Sequence, residues 1–101
     1  MSMGLRYDNK SIDILCQKYG IRFLGVFGSR ARGDFKSTSD TDVLIRYATN
    51  SSVRSILDHI AVQNNLSIIF GGKVDLVEES GLNKDIAPNV KKELVAIYEN
   101  R

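Results

Sequence analysis

Three short runs rich in β-branched and aromatic residues constrain this chain most: IRFLGVFG (Ile21 to Gly28), TDVLIRY (Thr41 to Tyr47) and KVDLVEE (Lys73 to Glu79). Each is bounded by glycine or polar residues, and each has the length of a strand rather than of a buried helix. Between and around them the spacing turns helical. Asp8 or Asn9 can cap a helix to about Tyr19, with Ile12, Leu15 and Cys16 on one face and Gly20 as its stop. Ser51 or Ser52 can cap a longer helix whose face carries Ile56, Leu57, Ile60 and Ala61; beyond Asn64-Asn65, the run LSIIF fits either strand or helix. Pro88 opens a last helix to about Glu99, with Val90, Leu94, Ile97 and Tyr98 facing inward. Strands separated by helices predict an α/β or α+β sandwich, with helices packed on a small sheet.

At 101 residues, the chain makes one domain spanning 1–101 with a single core. Fourteen basic and twelve acidic residues leave a net charge of +2, too weak a bias to predict strong direct nucleic-acid binding. The single cysteine excludes an internal disulfide and a cysteine metal cluster. The apolar runs fall far short of the roughly 20 residues that span a bilayer, so no membrane insertion is expected. The N-terminus lacks a signal-peptide core, and a cytoplasmic location fits best.

The chemistry concentrates in GSRARGDFKSTSDTD, Gly28 to Asp42. A glycine ending a buried strand lets backbone approach a ligand closely. If a helix starts there, its N–H groups and positive end favour an anion. Ser29 adds a hydroxyl donor, and Arg30 and Arg32 offer forked charge to phosphate oxygens. The bland alternative is a capped turn with solvated arginines. A P-loop is excluded, because Asp34-Phe35 stands where Lys-Ser/Thr is required, and no G-x-G-x-x-G is present.

Asp40 and Asp42 lie two apart at the start of a strand, so they share a face with Cα atoms roughly 6.5–7 Å apart. Carboxylates so placed repel each other unless a cation intervenes. Mg²⁺ suits, being held by one or two carboxylates plus substrate phosphates. Asp75 is a third strand acid, flanked by Val74 and Leu76; buried and unpaired it would be costly, which predicts a partner or a metal. Otherwise it pairs with Lys73 or with solvent. Together, an anion turn, a same-face carboxylate pair and a third strand carboxylate are the parts of two-metal phosphoryl chemistry.

Gly28-Ser29, ten residues, then Asp40-Thr41-Asp42 resembles the signature of nucleotidyltransferases related to DNA polymerase beta. The fuller GSRARG…SDTDVLI is similar to the small MNT-type, or minimal, members. The resemblance implies a polymerase-beta-like fold: a small mixed sheet packed by helices. It implies that Gly28 and Ser29 bind the nucleotide's phosphates, with Arg30 and Arg32 beside them. It assigns Asp40, Asp42 and Asp75 as the catalytic, Mg²⁺-holding triad, with two ions and ATP as substrate. MNT-type proteins are commonly antitoxins partnered by a helical HEPN-domain RNase toxin, so the resemblance further implies AMP transfer to a tyrosine hydroxyl of such a toxin. A binding-only antitoxin and a small-molecule nucleotidyltransferase are the rival readings. Homo- and hetero-oligomers are both open.

Several residues read as structural. His59 reads as a solvated helix residue, without a second His or Cys at ligand spacing. Cys16 reads as core, Tyr47 and Tyr98 as packing residues, and Lys91-Lys92-Glu93 as a wet helix face.

Overall fold

The computed structural model describes residues 7–33 and 40–100. The part of the polar loop at residues 34–39 lies outside the described residues. Helix α1 (Asn9–Tyr19) leads into β1 (Ile21–Phe27), a one-turn α2 (Ser29–Arg32), β2 (Thr41–Tyr47), α3 (Ile56–Phe70), β3 (Val74–Glu78), a 3₁₀ turn (Glu79–Gly81), α4 (Ala87–Glu93) and β4 (Val95–Glu99). The strands form one mixed sheet in the order β3-β2-β1-β4. β1 is antiparallel to both β2 and β4, whereas β2 and β3 run parallel through the α3 crossover. The architecture is the expected α+β sandwich on a small mixed sheet.

The two sheet faces have different work. Leu24, Val43, Ile45, Val74 and Leu76 point to the side covered by α1 and α3, where they meet Ile12, Leu15, Cys16, Val62 and Leu66 in one buried core. Their register partners alternate onto the opposite face, because successive side chains in a strand point to opposite sides. That opposite face carries Phe27, Asp42 and Asp75 at one end, then Gly25 and fully buried Leu44, then Phe23 and Arg46. It is partly roofed by Leu94, whose side chain lies so close to Gly25 that a Cβ there would be 2.6 Å from Leu94 Cδ1.

Local signals place most elements. The Asp8 carboxylate caps α1 by accepting from Lys10 N, and Gly20 ends the helix in the left-handed region at φ 66°. Three expectations are overturned. First, α3 is capped by Ser55, not Ser51 or Ser52; Ser51 is buried and ties the α1 end to the following loop by donating to Tyr19 O and accepting from Val53 N. Second, Ile56, Leu57 and Ile60 face solvent, and the buried face of α3 is Val62 and Leu66, which extends the helix through LSIIF to Phe70. Third, the last segment is not one helix. Leu94 adopts an extended conformation, and VAIYE forms β4 along the free edge of β1. Its β-branched residues and the unpaired edge outweigh the helical spacing of Val90, Leu94 and Ile97.

Cys16 is a core residue, as expected, at 1% exposure. Burial, then the nearby Asp13 carboxylate, pushes its thiol up to about 12. With the thiolate so suppressed, native protein at pH 8 should react with iodoacetamide about a hundredfold or more slower than unfolded protein. Mass spectrometry with and without denaturant checks this; equal rates would contradict the packing. Among the described residues, no helix is long and apolar enough to cross a membrane.

Candidate active site

Gly28 follows the last residue of β1 with φ 77° and ψ −152°, a conformation that side chains rarely adopt. A Cβ at this position would overlap the Asp42 carboxylate oxygen Oδ2. The glycine therefore lets the backbone lie directly against the acid. The turn closes tightly, with Arg32 N donating to Gly28 O at 3.0 Å and Gly33 N to Ser29 O at 2.9 Å. Gly33 ends it at φ 84°.

Register brings the acids to this turn. Asp42 pairs with Phe27 on one side, the residue before Gly28, and with Asp75 on the other. Directly opposed residues of adjacent strands project from the same sheet face, so both carboxylates stand side by side at the end where β1 finishes. Asp40 sits two residues ahead of Asp42 at the strand entry, its Oδ2 3.9 Å from Lys73 Nζ in an exposed and weak ion pair. Asp75 is exposed. Of the two readings left open for Asp75, the strand-face acid against solvent is the one observed, for a simple reason: alternation sends Val74 and Leu76 into the core and turns Asp75 away from it.

The electrostatics converge on Asp42. Burial is the largest influence, followed by Asp75 and Asp40, and together they raise its carboxyl above the ordinary value; Glu93 adds to the rise and Arg32 opposes it. A carboxylate held among like charges attracts a cation.

Among the described residues, no group of three or more His, Cys, Asp or Glu side chains is arranged to hold a metal ion by itself. What the site offers is an open set of hard oxygen donors, two of them in matched register. Mg²⁺ is commonly held in this way, with substrate phosphates and water completing its shell. The donor set fits that ion and suits neither a tetrahedral zinc cage nor a soft metal.

The phosphate-side residues divide. Ser29 opens α2, and Arg30 on the same turn is half-buried. Arg32 reaches across to α4, where its Nη1 lies 2.8 Å from Glu93 Oε2. Between them runs a cleft of about 690 Å³ lined by Phe27, Gly28, Arg32, Asn89, Val90 and Glu93. Glu93 is the functional candidate that the sequence reading missed. Its partner is 61 residues away, and no local pattern signals the contact. His59 was misjudged as well: its Nδ1 is 2.7 Å from the Tyr47 hydroxyl and its Nε2 3.3 Å from Leu76 O. The first contact lies at the far end of β2 from Asp42; the second is to the backbone of the residue that follows Asp75 in β3.

Residues 9–97 match the family model "Nucleotidyltransferase domain". The chain is 37% identical over 83 residues to the protein adenylyltransferase MntA of Thermococcus cleftensis, covering 82% of this chain and 81% of that one. Among solved structures, a chain provisionally assigned as a minimal nucleotidyltransferase aligns with a TM-score of 0.70 at 32% identity, over 86% of each chain. The MNT antitoxin–HEPN toxin complex of Shewanella oneidensis, whose toxin is tri-AMPylated, shares the fold with a TM-score of 0.63 at 15% identity, over 91% of this chain and 70% of that one. With the family model covering most of its length and the paired aspartates standing against the glycine turn, this chain belongs to the nucleotidyltransferase domain family and is a nucleotidyltransferase.

Proposed function

We propose that the protein transfers AMP from ATP to a tyrosine hydroxyl of a HEPN-domain toxin and acts as that toxin's antitoxin. One observation carries the reading: Asp42 and Asp75 stand side by side on an open sheet face while the Gly28 backbone lies against Asp42. The likeness to MntA and to an AMPylated toxin–antitoxin complex supports the choice of acceptor.

In this reading Gly28 and Ser29 receive the triphosphate, and Arg30 and Arg32 draw charge from its oxygens. Asp40, Asp42 and Asp75 hold two Mg²⁺ ions, which when bound polarise the α-phosphate and screen the leaving group. The acceptor oxygen attacks the α-phosphorus, the bond from that phosphorus to the bridging oxygen of the β-phosphate breaks, and pyrophosphate departs. Asp75, exposed on the same face as Asp42, takes the tyrosine proton. The carboxylate face stands opposite the helices α1 and α3, which leaves it accessible to a separate acceptor chain.

The rival reading is an antitoxin that blocks its toxin by binding alone. Asp40→Ala separates the two, since it removes a metal-side carboxylate at an exposed position outside the core. The transferase reading expects neutralisation of the toxin in a growth assay to be lost while the complex still forms. Full neutralisation by Asp40→Ala would favour steric blocking instead.

A further inference from the structure

We infer that Glu93 is a positioning residue for the nucleotide site: its carboxylate holds the Arg32 guanidinium at the mouth of the cleft beside Gly28, ready for triphosphate oxygens. This rests on the nucleotidyl-transfer reading above and adds a residue from α4 to it.

The placement comes from both ends. Arg32 closes α2, and its own N–H is tied to Gly28 O at 3.0 Å, so its backbone is fixed relative to the glycine turn. Glu93 is the last residue of α4, one turn beyond Val90, which is 6% exposed and anchors that helix. Side chains three apart on a helix share a face, so burying Val90 directs Glu93 into the same cleft. The two charges then meet at 2.8 Å.

Stability does not account for the pair. Arg32 is 46% exposed and Glu93 27%, and ion pairs this open add little to folding. Orientation accounts for it better. A free arginine side chain has many rotamers, and ordering it on binding costs affinity. A carboxylate that orders it beforehand removes that cost. Two opposite effects meet at this residue, however: Glu93 also places a negative charge near a polyanion. If charge were its whole influence, removing it would tighten nucleotide binding. If positioning dominates, removing it loosens binding.

Calorimetry with Mg²⁺ and α,β-methylene ATP, an analogue that cannot give up AMP, reads the sign directly. Glu93→Gln, which keeps the shape and loses the charge, should weaken binding about fivefold. Glu93→Asp, which keeps the charge on a shorter arm, should recover part of the loss. In an Arg32→Gln background, Glu93→Gln should change affinity by less than about twofold, because the residue acts through the arginine. Tighter binding by Glu93→Gln, or an equal loss in both backgrounds, overturns the inference. Failure of the wild type to bind the analogue overturns it together with the functional reading. Binding and coupling without any AMP transfer from ATP would leave Glu93's role standing and remove the transferase reading alone.

Discussion

Asp42→Asn is expected to abolish AMP transfer, by about a thousandfold or more, and at the same time to raise the melting temperature by about 2–4 °C. The two effects have one origin. Asp42 is half-buried between Phe27 and Asp75, and Asp40 adds a second like charge. The folded state therefore binds the Asp42 proton more tightly than the unfolded chain does. Stability from that proton is fully present below the unfolded pKa and is lost as pH rises through the higher folded value. At neutral pH the ionised carboxylate is a net cost, which asparagine relieves; the small size allows for solvent screening at a half-open site. The gap in melting temperature should accordingly be largest near pH 7 and close below about pH 4. Mg²⁺ should narrow the gap by stabilising the wild type only. A variant that melts lower at every pH would show that Asp42 serves the fold rather than the site.

Gly28→Ala should damage both the fold and the site. Its Cβ would overlap Asp42 Oδ2, and φ 77° already disfavours any side chain. The strain and the displaced carboxylate together should cost about 2–4 kcal/mol, measured by denaturant unfolding, with transfer lost even where the protein stays folded. Gly33→Ala provides the comparison. It too has a positive φ, of 84°, but among the described residues nothing lies within 4 Å of its Cβ position, so the backbone cost of about 1 kcal/mol is what remains. Equal losses at the two glycines would mean that close approach to Asp42 is not what Gly28 provides.

Much of this arrangement was legible in the amino-acid sequence. Runs of β-branched and aromatic residues bounded by turn residues placed β1, β2 and β3 to within a residue or two, and Gly28-Ser29 with Asp40 and Asp42 stood out by spacing. What stayed hidden depends on contacts distant in sequence. VAIYE reads as the end of a helix until the free edge of β1 is present to receive it as a strand. The apolar residues of α3 announce a helix, but not that Ile56, Leu57 and Ile60 point outward while Val62 and Leu66 point in. Asp75, between apolar neighbours, reads as either a buried acid or a strand-face one, and only the β2–β3 register shows it beside Asp42 on the open face. Glu93 gave no signal at all, since one salt bridge over 61 residues leaves no periodic trace.

The most direct test is the intact mass of a HEPN-domain partner after incubation with this protein, Mg²⁺ and ATP, beside the same reaction with Asp40→Ala/Asp42→Ala. A gain of one or more AMP units on the partner, on tyrosine, with pyrophosphate released and no gain in the double variant, is the predicted result. An unmodified partner in a tight complex with the wild type would contradict it.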